Sequence, residues 1–342
     1  MKKRRPRLTD EEVELIEQFR SRHKALAKEC EEKGIPLEEV KHYWHKGKNF
    51  SIFTKPNQKS YEDVRDYIVQ EMMKYAPKYR KVKHKKVTNP HLLVIDPADI
   101  HFGKLATAEE SGDPYNVDIA QQRVLDGVLG LVQKAAGFPI EKILFVIGND
   151  VLHIDSPRRT TTSGTPQDTD GMWFQSFVKA KDTIVQVVET LREIAPVHVH
   201  YDPSNHDYMS GFYLADTIAS WFHRCKDVTF NNTIAHRKYY RYGNSLIGTT
   251  HGDGANVKDL PLLMAQEASG DWADTKHRCV YIHHVHHKMQ NDHIGVTVES
   301  LRSPSGTDSW HHKQGYQHSP KAVEAFVHCK EHGQVARLTH IF

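Results

Sequence analysis

Five short polar segments, each placed just after a hydrophobic run, constrain the fold of this 342-residue chain more than any other feature. The hydrophobic runs at residues 92–95, 143–147, 197–201, 246–250 and 280–282 predict five strands. The polar segments are Asp99-Ile100-His101, Gly148-Asn149-Asp150, Ser204-Asn205-His206-Asp207, His251-Gly252-Asp253 and His284-Val285-His286. Side chains at the ends of neighbouring strands meet at one edge of a sheet, so the five segments predict one shared site.

The residue types in these segments are those of a site for two divalent metal ions. Two ions held roughly 3.5–4 Å apart need a bridging group, and Asp150 is the candidate. Asp99, His101 and His286 are the predicted ligands of one ion, and Asn205, His251 and His284 those of the other. This ligand set favours Mn²⁺, with Fe²⁺, Zn²⁺ and Mg²⁺ as alternatives.

Paired ions suit the hydrolysis of a phosphate ester. They polarise a phosphoryl oxygen and convert a bridging water into a hydroxide that attacks in line. His206 follows the predicted ligand Asn205, and we expect it to face the substrate rather than an ion. There its imidazole could stabilise or protonate the leaving oxygen.

The order of the segments resembles that of the calcineurin-like metallophosphoesterases, which carry Asp-x-His, Gly-Asp, Gly-Asn-His-Asp/Glu, His and Gly-His-x-His. The resemblance covers roughly residues 90–290 and implies an α/β fold of two facing mixed β-sheets flanked by helices, a metallophosphoesterase-like sandwich. Its spacing favours His284 and His286 as ligands over the neighbouring His283 and His287.

Three positions of the resemblance carry another residue where the family has glycine. They are Asn149, Ser204 and His283. Because Ser and His adopt positive φ less readily than Asn, we expect the tight turns to differ locally, with no predicted ligand lost.

Residues 148–153, Gly-Asn-Asp-Val-Leu-His, most resemble the matching segment of the SbcD-type DNA repair nucleases. In those enzymes a histidine three residues after the bridging Asp contacts the scissile phosphate, and His153 holds that position; a packed histidine is the alternative. The Asp-Arg-Gly of phosphoprotein phosphatases is absent. The stretch from Ser303 to Trp310 is similar to phage-encoded phosphoesterases and indicates no substrate. The resemblance also raises an ATPase partner, or a homodimer, as an expectation.

An irregular insert at residues 156–171 follows the predicted bridge. It either overhangs the site, where Arg158 and Arg159 would bind phosphate oxygens of the substrate, or forms a mobile surface loop. The remaining histidines of the C-terminal part are expected to be solvated or structural. They are His311, His312, His328, His332 and His340.

Charge divides the chain into a basic head and an acidic body. Residues 1–90 hold 23 Lys and Arg against 14 Asp and Glu, a net of +9, which leaves 23 against 29, a net of −6, for the remainder. We therefore predict a small, mainly helical accessory domain over 1–89 and a catalytic domain over 90–342. In the head, helices are predicted over 9–34, 37–44 and 60–75 and a strand over 50–53. This order, with interleaved basic and aromatic residues, favours a winged-helix-like module that contacts DNA; a helical cap with a solvated basic linker is the alternative.

Composition points to a cytoplasmic protein with no membrane partner. No apolar run reaches the roughly 18 residues of a membrane span, and the basic N-terminus lacks the apolar stretch of a secretory signal. The four cysteines form no Cys-x-x-Cys pair, which is typical of free thiols in a reducing compartment.

Three functions fit these observations. The favoured one is a DNA exo- or endonuclease that uses a metal-bridging hydroxide. The second is a small-molecule or cyclic-nucleotide phosphodiesterase or phosphatase on the same site. The third is a non-catalytic nucleic-acid-binding protein, against which the intact ligand set argues.

Overall fold

The computed structural model describes residues 24, 26–32, 43–46, 51–54, 66, 70, 77–315 and 318–342. The chain forms two compact units, Met1–Ile68 and Val69–Phe342. In the first unit residues 26–32 are helical, and β1 (Tyr43–Lys46) pairs antiparallel with β2 (Ser51–Thr54). The strand expected at 50–53 is present, whereas the helix expected at 37–44 is wrong at Tyr43 and Trp44, which belong to β1. Most of the other head helices, and with them the winged-helix prediction, lie outside the described residues.

A six-stranded mixed sheet forms the first layer of the second unit, in the order β13-β12-β3-β4-β5-β6. Four neighbouring strands of this sheet run parallel: β3 (His91–Asp96), β4 (Ile140–Gly148), β5 (Val197–Asp202) and β6 (Val228–Asn231), which is one edge. The antiparallel strands β12 (Ala322–Cys329) and β13 (Gly333–Ile341) extend it beyond β3.

A five-stranded mixed sheet forms the second layer, in the order β10-β11-β9-β8-β7. Its strands are β7 (Arg237–Tyr242), β8 (Ser245–Thr250), β9 (His277–Ile282), β10 (Met289–His293) and β11 (Val296–Ser300). Strands β8, β9 and β11 are parallel to one another, while β7 and β10 run antiparallel at the two edges.

The helices of the second unit are α1 (Ala108–Ser111), α2 (Val117–Lys134), α3 (Trp173–Arg192), α4 (Tyr208–Trp221), α5 (Leu260–Glu267), α6 (Ser269–Asp274) and α7 (Ser309–Lys313). Of these, α2, α3 and α4 pack on the outer face of the first sheet, and α5 packs on that of the second. Within the described ranges, no helix combines the length and apolar character that a membrane span requires. The four cysteines are buried and unpaired.

Alternation along the buried strands explains this layering. On β3, Leu93 and Ile95 pack in the core beneath α2, α3 and α4, whereas Leu92 and Val94 pack between the sheets against Tyr281 of β9. A third core, under α5, covers the outer face of the second sheet. The predicted α/β sandwich of two facing mixed sheets with flanking helices is therefore confirmed, and the polar segments follow β3, β4, β5, β8 and β9.

Candidate metal centre

Unusual backbone conformations mark the turns that carry the polar segments. Six of the nine non-glycine residues with positive φ in the described ranges lie in these turns. They are Asp99, His101, Asn149, Asp150, His284 and His286, with φ between 51° and 70°. Such conformations cost about 1–3 kcal/mol each and cluster at functional sites, where the surrounding structure holds them.

Of the three residues that replace a family glycine, only Asn149 has positive φ. Ser204 and His283 adopt ordinary backbone and use their side chains as anchors instead. The Ser204 hydroxyl accepts a hydrogen bond from the Asp150 amide (2.8 Å) and donates one to Asp207 Oδ1 (2.5 Å). At Ser204 a side-chain anchor therefore holds the turn without positive φ.

His283 is occupied by hydrogen bonds that leave it no lone pair for an ion. Its Nδ1 lies 3.1 Å from the Thr250 carbonyl oxygen, and its Nε2 lies 2.9 Å from Asp96 Oδ2. Burial would lower the pKa of His283, but the Asp96 carboxylate raises it, which suits an imidazolium donating from both nitrogens. This geometry supports His284 rather than His283 as the ligand.

Asp99, His101 and His286 bring their ligand atoms together at the ends of β3 and β9. His286 Nε2 lies 3.4 Å from Asp99 Oδ1 and 3.3 Å from His101 Nε2. The Asp99 carboxylate is fixed by the His284 amide, which donates to its Oδ2 at 3.1 Å. These are the three side chains predicted to hold the first ion.

A second cluster joins Asp150, His251 and His284 at the ends of β4, β8 and β9. His251 Nε2 lies 3.3 Å from Asp150 Oδ2 and 2.8 Å from Asn205 Oδ1. The same Asp150 oxygen is 3.9 Å from His101 Nε2 of the first cluster. Asp150 therefore lies between the two clusters, the position that a bridging carboxylate requires.

The buried charges of this site fit divalent cations. Burial opposes ionisation of Asp150, yet the positive His251 outweighs it and lowers the pKa of Asp150; the same pairing raises the pKa of His251. Burial lowers the pKa of His101 far below its usual value, so its imidazole is neutral with a lone pair to donate. Two buried carboxylates, an amide oxygen and imidazoles around common points form a donor set for two divalent ions. His251 carries a positive charge here, which an ion would replace when His251 loses its proton to bind it.

His206 and His153 lie beside the clusters. The Asp150 side chain accepts a hydrogen bond from the His206 amide (2.9 Å), and His206 Nδ1 lies 2.9 Å from the His153 carbonyl oxygen. A carbonyl can only accept, so Nδ1 is the protonated nitrogen and Nε2 is left for the cleft. His153 Nδ1 lies 3.3 Å from His101 Nδ1. The roles of His206 on the leaving group and of His153 on phosphate stay predictions.

A cleft of about 590 Å³ opens over both clusters. The insert forms one wall through Thr161, Ser163 and Thr165, which favours the overhanging form over a free surface loop. Arg158 and Arg159 are exposed and do not line this cleft, so the structure does not bring them to the site. Thr161, Ser163 and Thr165 of the same loop line the cleft instead.

The cleft is also lined by residues that sequence reasoning did not assign to the site. Among them are Lys104, Asp308, Trp310, His311 and Lys313. Lys104 is 1% exposed, and burial lowers its pKa although Asp308, 2.9 Å away, opposes the shift. A lysine three residues after His101 was a weak signal, and the short helix that carries Trp310 gave no periodicity to detect.

Comparisons with known proteins give structural similarities alone. No family model and no curated protein matches the chain. A structure of an archaeal phosphodiesterase is 8% identical, with 74% of this chain and 99% of that one covered and a TM-score of 0.35. A predicted phosphoesterase from Streptococcus pneumoniae is 11% identical, with 74% and 97% covered and a TM-score of 0.28. Vps29 from Entamoeba histolytica, solved with Zn²⁺, is 13% identical, with 73% and 98% covered and a TM-score of 0.29. Since these TM-scores are low, the function proposed below rests on the geometry of this chain.

Proposed function

We propose that this protein is a phosphodiester hydrolase that depends on two divalent metal ions, with DNA as the favoured substrate and Mn²⁺ as the favoured ion. The observation that carries the proposal is the position of Asp150, whose Oδ2 lies 3.3 Å from His251 Nε2 of one ligand cluster and 3.9 Å from His101 Nε2 of the other. Both clusters lie at the floor of one cleft. Few other functions need two adjacent sets of carboxylate and imidazole donors.

Side chains of this protein could bind the two ions, act on the leaving oxygen and contact the phosphate. Asp99, His101 and His286 would hold one ion, and Asn205, His251 and His284 the other, with Asp150 shared. When bound, the ions polarise a phosphoryl oxygen and lower the pKa of a water for in-line attack. As an imidazolium, with its Nδ1–H donated to the His153 carbonyl, His206 would give its Nε2 proton to the leaving oxygen. The hydroxyls of Thr161, Ser163 and Thr165 could donate hydrogen bonds to non-bridging phosphate oxygens.

DNA is favoured by two features beyond the centre. His153 holds the position of the phosphate-contacting histidine in the resemblance to SbcD-type nucleases, and it lines the cleft. The basic residues before β3 offer charge for a polyanion. The alternative is a small-molecule or cyclic-nucleotide phosphodiesterase, which would use the same centre but would not need the basic segment.

A metal-by-substrate matrix tests the proposal. Purified protein with Mn²⁺, Mg²⁺, Zn²⁺ or Fe²⁺ is assayed on linear, circular and single-stranded DNA, RNA, cyclic nucleotides and bis-p-nitrophenyl phosphate. We expect metal-dependent hydrolysis, with DNA among the substrates. Cleavage of cyclic nucleotides with no DNA cleavage would favour the alternative, and no hydrolysis with any ion would contradict the proposal.

Asp150→Asn is the matching variant. It removes the bridging charge, so we expect turnover to be abolished and metal content, by elemental analysis, to fall by one or both ions. The control is Asp182→Asn on α3, where the Asp182 side chain is 60% exposed. This variant should keep both its turnover and its metal content. Two bound ions with retained activity in Asp150→Asn would refute the bridge.

A further inference from the structure

The short helix α7 presents an aromatic and basic wall to the cleft. Trp310 is 60% exposed, and His311 and Lys313 line the cleft beside it. Single exposed apolar side chains are common on protein surfaces, and Trp173 is 51% exposed, so the informative feature of Trp310 is its position on the cleft. Most of its indole surface is open to solvent there and can contact a molecule bound in the cleft.

A buried ion pair fixes this wall to the metal centre. Asp308, the N-cap of α7, accepts a hydrogen bond from the His311 amide (2.8 Å) and lies 2.7 Å from His311 Nδ1. Its other oxygen pairs with Lys104 Nζ at 2.9 Å, and the Lys104 amide donates to the His101 carbonyl at 3.0 Å. The helix is thus tied through two residues to the segment that carries two predicted metal ligands.

Ring contacts set the distance from Trp310 to the centre. The His311 ring stacks on His286 with centroids 5.0 Å apart and planes 17° apart, and Trp310 meets His311 edge-on at 5.0 Å. The Trp310 ring therefore lies no more than 10 Å, the sum of these two steps, from a predicted metal ligand. This separation is comparable with that between the base of one nucleotide and a neighbouring phosphate.

We propose that Trp310 is the stacking platform for a nucleobase next to the scissile phosphate, so that the substrate is single-stranded DNA bound through a base as well as its backbone. Every base offers a π-face, and aromatic platforms beside basic groups are the usual device for single strands. Lys313 supplies a positive charge beside the ring, and Gln167 and Asp168 offer polar groups for a base edge. This inference rests on the proposed function and names its substrate class.

Binding to two matched oligomers tests the stacking. One is a fluorescein-labelled oligothymidylate; the other has the same length and backbone with abasic tetrahydrofuran units. Affinities are measured by anisotropy in EDTA, so that no cleavage occurs, for the wild type, Trp310→Ala, Trp310→Phe and Trp173→Ala. Trp173 is the matched control because it is 51% exposed and does not line the cleft.

We expect Trp310→Ala to weaken binding of oligothymidylate by roughly 5- to 150-fold, the range that one base stack contributes. The abasic oligomer should bind Trp310→Ala and wild type alike, Trp310→Phe should restore most of the affinity, and Trp173→Ala should bind as wild type does. Equal weakening for both oligomers, or none for either, would overturn the stacking role.

Two further results separate this inference from the proposed function. Thymidine monophosphate that competes as well as the oligomer would overturn the single-strand assignment in favour of a small nucleotide. Hydrolysis of both oligomers with Mn²⁺, and no difference between wild type and Trp310→Ala, would leave the hydrolase in place and remove the platform. Base-dependent binding without hydrolysis in the presence of any ion would keep the stacking platform and contradict the proposed hydrolase.

Discussion

At the scale of single residues, His206 is the side chain of the centre whose role is most open. Its ligand atom also lies near those of His101 and His153, so a third metal-binding group could in principle include it. The predicted ligand set of each ion is complete without His206, and two contacts orient its side chain towards the cleft. Its amide donates to Asp150, which orients the backbone, and its Nδ1 is held by the His153 carbonyl, which turns Nε2 towards the cleft.

We therefore expect His206→Ala to keep both ions and to slow cleavage by about 10²–10⁴-fold, the usual contribution of a general acid. Steady-state rates on bis-p-nitrophenyl phosphate and elemental analysis of the same preparation measure the two effects. His332→Ala, whose side chain is 76% exposed, is the control. Loss of metal from His206→Ala would identify His206 as a ligand instead.

At the scale of elements, Asp202 at the end of β5 is a buried acidic group outside both ligand clusters. It is 0% exposed, and burial raises its pKa to about 6, although Lys238 opposes this shift. The pKa in the folded chain is thus above the ordinary 3.8, so the carboxyl stabilises the fold most below pH 3.8, and this contribution is lost as pH rises through 6.

Asp202→Asn cannot ionise and should escape that loss. Relative to the wild type, its free energy of unfolding should rise by about 2 kcal/mol between pH 4.5 and pH 8. The full pKa shift is worth about 3 kcal/mol, at about 1.4 kcal/mol per pKa unit, and about 1 kcal/mol of it is already lost at pH 4.5. Urea unfolding of metal-free protein at both pH values measures the difference, which cancels any constant effect of the amide. Asp182→Asn, exposed on α3, is the control. A difference that is the same at both pH values would contradict the raised pKa.

The elements also show what the sequence could predict. The hydrophobic runs predicted β3, β4, β5, β8 and β9. The seven predicted ligands follow the ends of these strands, because each run is followed directly by a polar segment. The residues that form the wall of the cleft could not be predicted in this way. Its members depend on contacts between distant segments, such as Lys104 with Asp308, which leave no periodic pattern. Arg158 and Arg159 were predicted to bind phosphate because of their charge. Other residues of their loop, Thr161, Ser163 and Thr165, line the cleft instead.

At the scale of the whole molecule, the basic charge is not spread evenly over residues 1–90. Residues 1–68 hold 16 Lys and Arg against 13 acids, a net of +3, and residues 69–90 hold 7 against 1, a net of +6. The larger share thus belongs to the second compact unit, which begins at Val69. The boundary expected at residue 89 lies beyond this division.

Specific contacts hold residues 79–84 against the rest of the second unit. The Tyr79 hydroxyl lies 2.5 Å from Glu189 Oε1, the Val82 amide donates to Asp227 Oδ2 at 3.1 Å, and His84 Nε2 lies 2.8 Å from the Arg192 carbonyl oxygen. The lysines between and after these anchors point outward. Lys81, Lys83, Lys85 and Lys86 are all exposed. They form a fixed positive stripe, which we call the basic stripe, on the unit that carries the metal centre.

We expect the basic stripe, rather than residues 1–68, to supply most of the affinity for DNA. Each phosphate that a lysine no longer neutralises reduces the slope of log K against log salt by roughly 0.7 for single-stranded DNA, so Lys→Gln at all four stripe positions should reduce it by up to about 2.8.

The control changes Lys41, Lys48, Lys55 and Lys59 to Gln, which removes the same charge from residues 1–68. Anisotropy titrations of a labelled single strand between 50 and about 300 mM salt give the slopes, and hydrolysis of bis-p-nitrophenyl phosphate checks that the centre is intact in both variants. A reduced slope in the control alone would indicate that the first unit, and not the basic stripe, binds the DNA. Unchanged slopes in both would remove the case for a polyanion and favour the small-molecule phosphodiesterase, because that activity needs the centre and no basic stripe.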